Sequence, residues 1–313
     1  MQKAIVIGAN GQDGTFLVRH LLQKKYRVLG IGRQRESRWG IESPLFSYYH
    51  ADLRDTNILS KLLTRFQPDL IFHVAAVHSS AGGIYEPLFA DMLKVNVASV
   101  HSILEHLRQH LGGRFIYASS AKVFGDPPPA IITKDTPKKN QCLYSITKNT
   151  AYHLIEYYRS QHNVMASVVY LFNHESELRP DHFFISTIIK LLVSAIEDPH
   201  HVSDINTLDF YCNWGSAKEY MHIIIDMLEK APSKDFVLAT DRCIYARDLV
   251  KNLFEDYGLK YRSHIKEKCH SNFETNRTYS VDLTELKKYL GRTPQKTIYD
   301  VCKQIISLKY NLI

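Results

Sequence analysis

Residues 3–14 read KAIVIGANGQDG. A β-branched run breaks off at Gly8, Gly11 and Gly14, and apolar residues then recur at helical intervals through Phe16, Leu17, Leu21 and Leu22. A strand, a tight glycine turn and a helix in immediate succession leave few folds open. A strand without polar alternation is covered on both faces, as in a parallel sheet flanked by helices. Glycines let the chain turn sharply and let an anion approach the helix N-terminus, where unpaired N–H groups and the macrodipole favour negative charge. Residues Gly8, Asn10, Gly11, Gln12, Asp13 and Gly14 are therefore expected to cradle the pyrophosphate of a dinucleotide. The bland alternative is a glycine-rich turn of some other α/β fold.

The rhythm continues for some hundred and seventy residues. Strands are expected at Arg27–Ile31, Phe46–Asp52, Leu70–Val74, Arg114–Ala118 and Ala166–Phe172, with helices at Asn57–Phe66, Ala90–Leu111 and Tyr144–Gln161. Strands separated by helices imply right-handed crossovers and an α/β, Rossmann-type doubly wound parallel sheet. After Asn173 the alternation loosens into a helix at His182–Ile196 and mixed short elements. Residues 1–173 thus read as a dinucleotide-binding domain. Residues 174–313 read as a smaller, interleaved substrate-binding part with segments returning to the first.

Composition narrows the field further. The chain of 313 residues is 45 % hydrophobic and 23 % charged, which excludes a disordered chain, a collagen and a coiled coil. No apolar run approaches the roughly 18 residues of a membrane span. The net charge of +7 comes without a Lys/Arg block, so it suits phosphate-bearing small molecules and does not call for nucleic acid. Five scattered cysteines without a CxxC pair, behind an N-terminus that reads as a strand and not a signal peptide, point to the cytoplasm.

The end of the second strand selects the dinucleotide. An acid there would hold a ribose 2′-hydroxyl. The chain has Gly32-Arg33-Gln34-Arg35-Glu36-Ser37-Arg38 instead. Arg33 can pair with a 2′-phosphate, assisted by Arg35 or Arg38, which favours NADP and leaves NAD admissible. Read blandly, this is a solvated basic loop. Asp52, followed by Leu53, can accept a hydrogen bond from adenine or simply cap a loop. Ala75 and Ala76, after the fourth strand, complete the expected cofactor contacts.

A second constellation carries chemistry. Tyr144 and Lys148 in YSITK lie one helical turn apart on one face, with Ser120 upstream. A phenol titrating near pH 10 is a poor base at neutrality. A neighbouring ammonium and a positive nicotinamide ring would stabilise the phenolate, while Ser120 can bind the same substrate oxygen. Sixteen histidines invite a metal reading, but His200-His201 are adjacent and Cys269-His270 has no matching pair, so no metal site is expected.

Taken together, GQDG in the glycine loop, the Arg33 region, Ala75-Ala76, Ser120 followed by YxxxK, and above all Leu171-Phe172-Asn173-His174-Glu175-Ser176 resemble the extended short-chain dehydrogenase/reductases that act on nucleotide sugars. Within them the chain is most similar to the GDP-mannose 4,6-dehydratase group, of which LFNHES is a specific signature. The resemblance implies NADP, a nucleotide-diphosphate sugar and a homodimer or homotetramer. It implies that Tyr144 takes the proton of the sugar 4-hydroxyl while hydride leaves C4, after which C5 loses a proton, C6 loses water and hydride returns to C6. It further implies that Asn173 and Arg277 hold the diphosphate, that Arg179 serves the same anion, and that Ser79, Ser80, His174 and Glu175 are further substrate contacts. His174 reads equally well as a structural histidine.

The sequence departs from that group in three places. Its Thr-Ser-Glu, where Glu is the C5 base, is Ser120-Ala121-Lys122 here. Lys122 can be a base only with a strongly depressed pKa. Lysine at this place also resembles CDP-glucose 4,6-dehydratases and CDP-sugar epimerases, the latter losing no water. The group's Arg-Asp-Trp is Cys212-Asn213-Trp214, and its Pro-Arg-Arg is Glu177-Leu178-Arg179. The open alternatives are an epimerase, a 4-dehydrogenase, or a non-catalytic NADP sensor.

Overall fold

Seven parallel strands form the central sheet of the computed structural model, which describes residues 1–38, 40–79, 83–110, 112–231, 233–268 and 277–312. Ser80, Leu111, Cys269 and His270 lie outside the described residues. Across the sheet the order is Phe236–Leu238, Ala166–Leu171, Arg114–Ser120, Leu70–His73, Lys3–Ile7, Arg27–Gly32 and Phe46–His50. The first strand sits in the interior, so crossovers leave it in opposite directions. A crevice opens at the carboxyl ends of the strands where the order reverses. Ile5, Val6, Ile71, Phe72, Phe115 and Val168 are fully buried, as strands covered on both faces require.

The doubly wound sheet matches the pattern of the sequence, and the differences are local. The first helix, Gln12–Gln23, starts three residues before the apolar periodicity, with Gly11 as its N-cap. The long helix after the fourth strand is broken in type: α-helical at Phe89–Met92, π-helical at Leu93–Ala98 and α-helical again at Ser99–His110. Single π-turns of this kind concentrate at functional sites, because they turn a side chain or carbonyl out of the regular ladder. Asn96, fully buried, lies within it. The sixth expected strand ends at Leu171. The chain then leaves the sheet, and Asn173–Glu175 pairs in parallel with Trp214–Ser216.

The later residues feed two cores. Ile223, Met227, Val237 and Leu286 join the core of the large sheet, whereas Ile189, Trp214, Leu249 and Ile305 form a second one. The helix Ala217–Lys230 lies against the first helix, and Lys24 bridges to Asp226 (3.3 Å) and Glu229 (2.5 Å). The edge strand Phe236–Leu238 is anchored by Asp235. Its carboxylate takes both Nη groups of Arg159 (2.7 and 2.8 Å) and the backbone N–H of Val168 (2.8 Å). Breaking a largely buried pair strands the surviving charge. Asp235→Ala is therefore expected to cost about 3 kcal/mol in urea unfolding; a loss below about 1 kcal/mol, the worth of an exposed pair, would show that the clamp is idle.

Candidate active site

The glycine turn is built too tightly for side chains. Gly8 has φ +97°, and a Cβ there would stand 2.8 Å from the Ala75 amide nitrogen. A Cβ on Gly14 would fall 2.1 Å from the Gly8 carbonyl oxygen. Gly11 supplies no side-chain cap to the first turn of Gln12–Gln23. The amides of that turn are where an anionic group would be held. Ala75 donates its N–H to Ile7 (3.0 Å) and forms the floor against Gly8, while Ala76 is exposed beside it.

The side chains of the turn do other work than its backbone. Asn10 donates to the Glu36 carbonyl (2.8 Å) and to Tyr48 (3.0 Å), and accepts from the Arg38 amide (3.0 Å). It thereby fastens the arginine segment to the glycine turn. Arg33 and Arg35 are exposed on that segment. Asp52 is gripped by Arg54 (2.9 Å from Nε to Oδ2), whose hydrogen bonds hold its carboxyl below the usual range; Leu53 packs on the main core. Gln12 donates to the His174 carbonyl (3.2 Å) and accepts from Ser176 (2.8 Å). Asp13 meets His174 Nε2 at 3.0 Å.

The helix Leu143–His162 delivers the reactive pair. Cys142 and Ser145 cap it reciprocally, with Cys142 N–H donating to Ser145 Oγ (3.1 Å) and Ser145 N–H to Cys142 Sγ (3.4 Å). Tyr144 stands in the first turn and Lys148 in the next, both buried. Lys148 Nζ donates to the Ala118 carbonyl (2.8 Å) and lies 4.5 Å from the Tyr117 ring centre and 5.5 Å from that of Tyr144. Burial pushes Lys148 down to about 7. Burial and the nearby Tyr85 hold Tyr144 high, and the neighbouring Ser120 hydroxyl pulls the other way. The structure thus brings Ser120, Tyr144 and Lys148 together.

Lys122 is placed differently from what base duty asks. It is exposed, and its ammonium donates to Asp126 Oδ2 at 3.0 Å. Desolvation pulls its pKa down, but Asp126 outweighs it and the net direction is up. The strong depression on which a Lys122 base depends is absent: the side chain is a cation.

The remaining expected residues spread over one wall. Asn173 donates to Cys212 Sγ (2.8 Å), the thiol standing where the resembled group has arginine. Glu175 is buried, and burial raises its pKa; Arg179 Nε lies 3.3 Å from it. The Arg179 guanidinium lies 3.6 Å from the Phe183 ring centre. Ser79 is half-buried. Arg277 is exposed, two residues before Tyr279, whose hydroxyl accepts the Asn213 N–H (3.2 Å).

Two residues at the site gave no periodic or motif signal. Asn96 clasps the Val77 backbone from both sides (2.9 and 3.1 Å), donates to Thr147 (3.2 Å), and offers its carbonyl to Tyr117 (3.1 Å). It joins the loop after the fourth strand to the helix carrying Tyr144. His78 stands edge-on to Tyr144, with ring centres 5.0 Å apart.

Comparison with known proteins speaks to the family and the fold. The family model for GDP-mannose 4,6 dehydratase matches residues 5–305. The chain is 30 % identical over 280 residues to a GDP-mannose 4,6-dehydratase of Yersinia enterocolitica, covering 83 % of this chain and 73 % of that one. It is 29 % identical over 267 residues to a GDP-mannose 4,6-dehydratase of Sordaria araneosa, covering 83 % of this chain and 48 % of that protein, about half its length. Among solved structures, a dTDP-glucose 4,6-dehydratase from Bacillus anthracis in complex with NAD superposes with a TM-score of 0.84 at 14 % identity, covering 99 % of this chain and 98 % of that one. A UDP-glucose 4-epimerase with UDP-glucose from Thermotoga maritima gives 0.83 at 18 %, covering 98 % of each. At such identities the structural likeness speaks for the fold alone.

The Asp13–His174 pair makes a pH-dependent claim. Desolvation opposes both charges, yet attraction and the hydrogen bond between them win. Asp13 lies below its ordinary value and His174 above. The pair's stabilisation is complete between the ordinary values of the two groups, about pH 4 and about pH 6.5, and fades as pH rises through the His174 pKa. His174→Gln is therefore expected to lower the unfolding midpoint more at about pH 6 than at about pH 9; equal deficits at both would contradict the ion pair.

Proposed function

The chain belongs to the GDP-mannose 4,6-dehydratase family, and we propose that it oxidises a nucleotide-diphosphate sugar at C4 with NADP and then removes water across C5 and C6. The observation that carries this reading is the buried Tyr144, with Ser120 beside it and the Lys148 ammonium 5.5 Å from its ring centre. The tight glycine cradle fits a dinucleotide, and Gly8, Gly11, Gly14 and the amides after them would hold it. When bound, the nicotinamide group supplies a reversible hydride acceptor. Tyr144 receives the proton of the sugar 4-hydroxyl, and Ser120 orients that oxygen. Lys148, poised near neutrality, lowers the cost of the phenolate and passes the proton on. GDP is the nucleotide favoured by the family; Asn173, Arg179 and Arg277 are the candidate diphosphate contacts. A second reading, a C4 oxidoreductase or epimerase without water loss, is favoured by one observation: the Lys122–Asp126 pair, which leaves no lysine base.

Mass spectrometry after incubation with NADP and a panel of GDP-, CDP-, UDP- and dTDP-sugars distinguishes the two. A product lighter by one water supports dehydration; an isomer of unchanged mass supports the second reading. Tyr144→Phe is expected to remove all reduction of the cofactor, and normal turnover in that variant would overturn both. For NADP, Arg33 is the proposed 2′-phosphate ligand. A hydrogen bond to a charged group contributes about 1.5–3 kcal/mol. Arg33→Ala should weaken NADP binding about 10–100-fold in a fluorescence titration and leave NAD affinity unchanged; an equal loss for both would remove Arg33 from that role.

A further inference from the structure

His78 is a described side chain at the site that neither motif nor proposed mechanism has used. It lies five residues beyond the strand Leu70–His73, on the loop leaving the strand's carboxyl end. Its ring meets Tyr144 edge-on (5.0 Å), lies nearly parallel to Phe183 (6.2 Å) and stands at right angles to Tyr85 (6.4 Å). Phe183 in turn carries the Arg179 guanidinium. Among the described residues His78 has no hydrogen-bond partner, and it is open to solvent at the site.

We propose that His78 is the base that removes the C5 proton of the substrate sugar. This rests on the reading of Tyr144 as the partner of the C4 oxygen. C5 is bonded to C4, so its base has to stand beside the tyrosine that serves C4. His78 is the imidazole packed against that ring. In the step assigned to it the C5–H bond breaks and the proton goes to the unprotonated ring nitrogen. The electron pair passes into the C4 ketone as an enolate. Collapse of the enolate forms the C5–C6 double bond and expels the C6 hydroxyl, which takes the proton back from the imidazolium and leaves as water. The net change is the loss of one water, and no oxidant or reductant is consumed.

The surroundings favour an imidazole over the lysine. The charged and titratable groups facing His78 are Arg179, Lys148, Lys122, His182, Tyr144 and Tyr85. Desolvation, then the cations, push His78 down to about 4. That is close to an ordinary carboxylate, so the ring is an open proton acceptor throughout the neutral range. Lys122 is occupied by Asp126, and Glu175 by Arg179.

Deuterium exchange tests the step without the oxidation. The purified NADP-loaded protein is given GDP-4-keto-6-deoxymannose in D2O, and deuterium entering C5 is followed by NMR against an enzyme-free control. Wild type is expected to exchange, and His78→Gln to slow exchange at least about 100-fold, the usual scale of general base catalysis. His78→Gln should still reduce NADP with the parent nucleotide sugar, which a misfolded variant would not. Exchange in His78→Gln within threefold of wild type overturns the proposal. So does loss of exchange in Lys122→Ala with His78→Gln intact, and so does joint loss of exchange and cofactor reduction in His78→Gln. If wild type itself exchanges nothing, the 4-keto-sugar reading under which His78 acts is what fails.

Discussion

The meeting of the first helical turn with the strand Asn173–Glu175 is the contact on which the site depends. Gln12 and Asp13 leave the glycine turn and engage the backbone of His174, its ring, and the hydroxyl of Ser176. Two chain segments more than a hundred and sixty residues apart are thereby held in one register. The first carries the uncapped amides of the helix N-terminus. The second carries Asn173, Glu175 and, a turn later, Arg179. Because the Asp13–His174 pair and the Gln12–Ser176 bond sit largely out of water, they are stronger than surface contacts would be and costly to break singly. The segment 173–176 is, in this molecule, a fastening of the first helix to the later part of the chain.

Electrostatics of the crevice follows from where that fastening puts charge. Lys148, Arg179 and Lys122 converge on the buried Tyr144 and the open His78. Desolvation and then positive charge keep the imidazole neutral, and the same charge favours a phenolate. A doubly anionic diphosphate is the natural counterion of such a site. The same cations explain why the lysine at position 122 is not an equivalent replacement for a carboxylate. Beside Asp126 it stays charged.

Much of this was legible before any coordinates. The strands 3–7, 27–32 and 70–73 are read correctly because β-branched runs buried on both faces have no polar alternation to confuse them. The glycine turn is legible because only glycine tolerates the backbone at Gly8 and the approach at Gly14. Tyr144 and Lys148 are legible because a spacing of four is a single turn. The π-turn at Leu93–Ala98 is not, since the apolar period of an α-helix runs through it unchanged; what selects it is the bonding of Asn96 to Val77, Thr147 and Tyr117. The strand Asn173–Glu175 is also hidden, because three residues carry no period and their partner lies forty residues ahead.

Local covalent and steric rules therefore let the sequence by itself determine the parallel α/β scaffold, the tight glycine turn and the spacing of the tyrosine–lysine pair. Each is settled within a single turn or strand. Tertiary structure alone decided the charge states and the pairings: that Lys122 meets Asp126, that Asp13 meets His174, that Asn173 meets Cys212, and that His78 stands against Tyr144. A pKa and a hydrogen-bond partner depend on burial and on groups brought from distant positions, and no stretch of sequence contains its own surroundings.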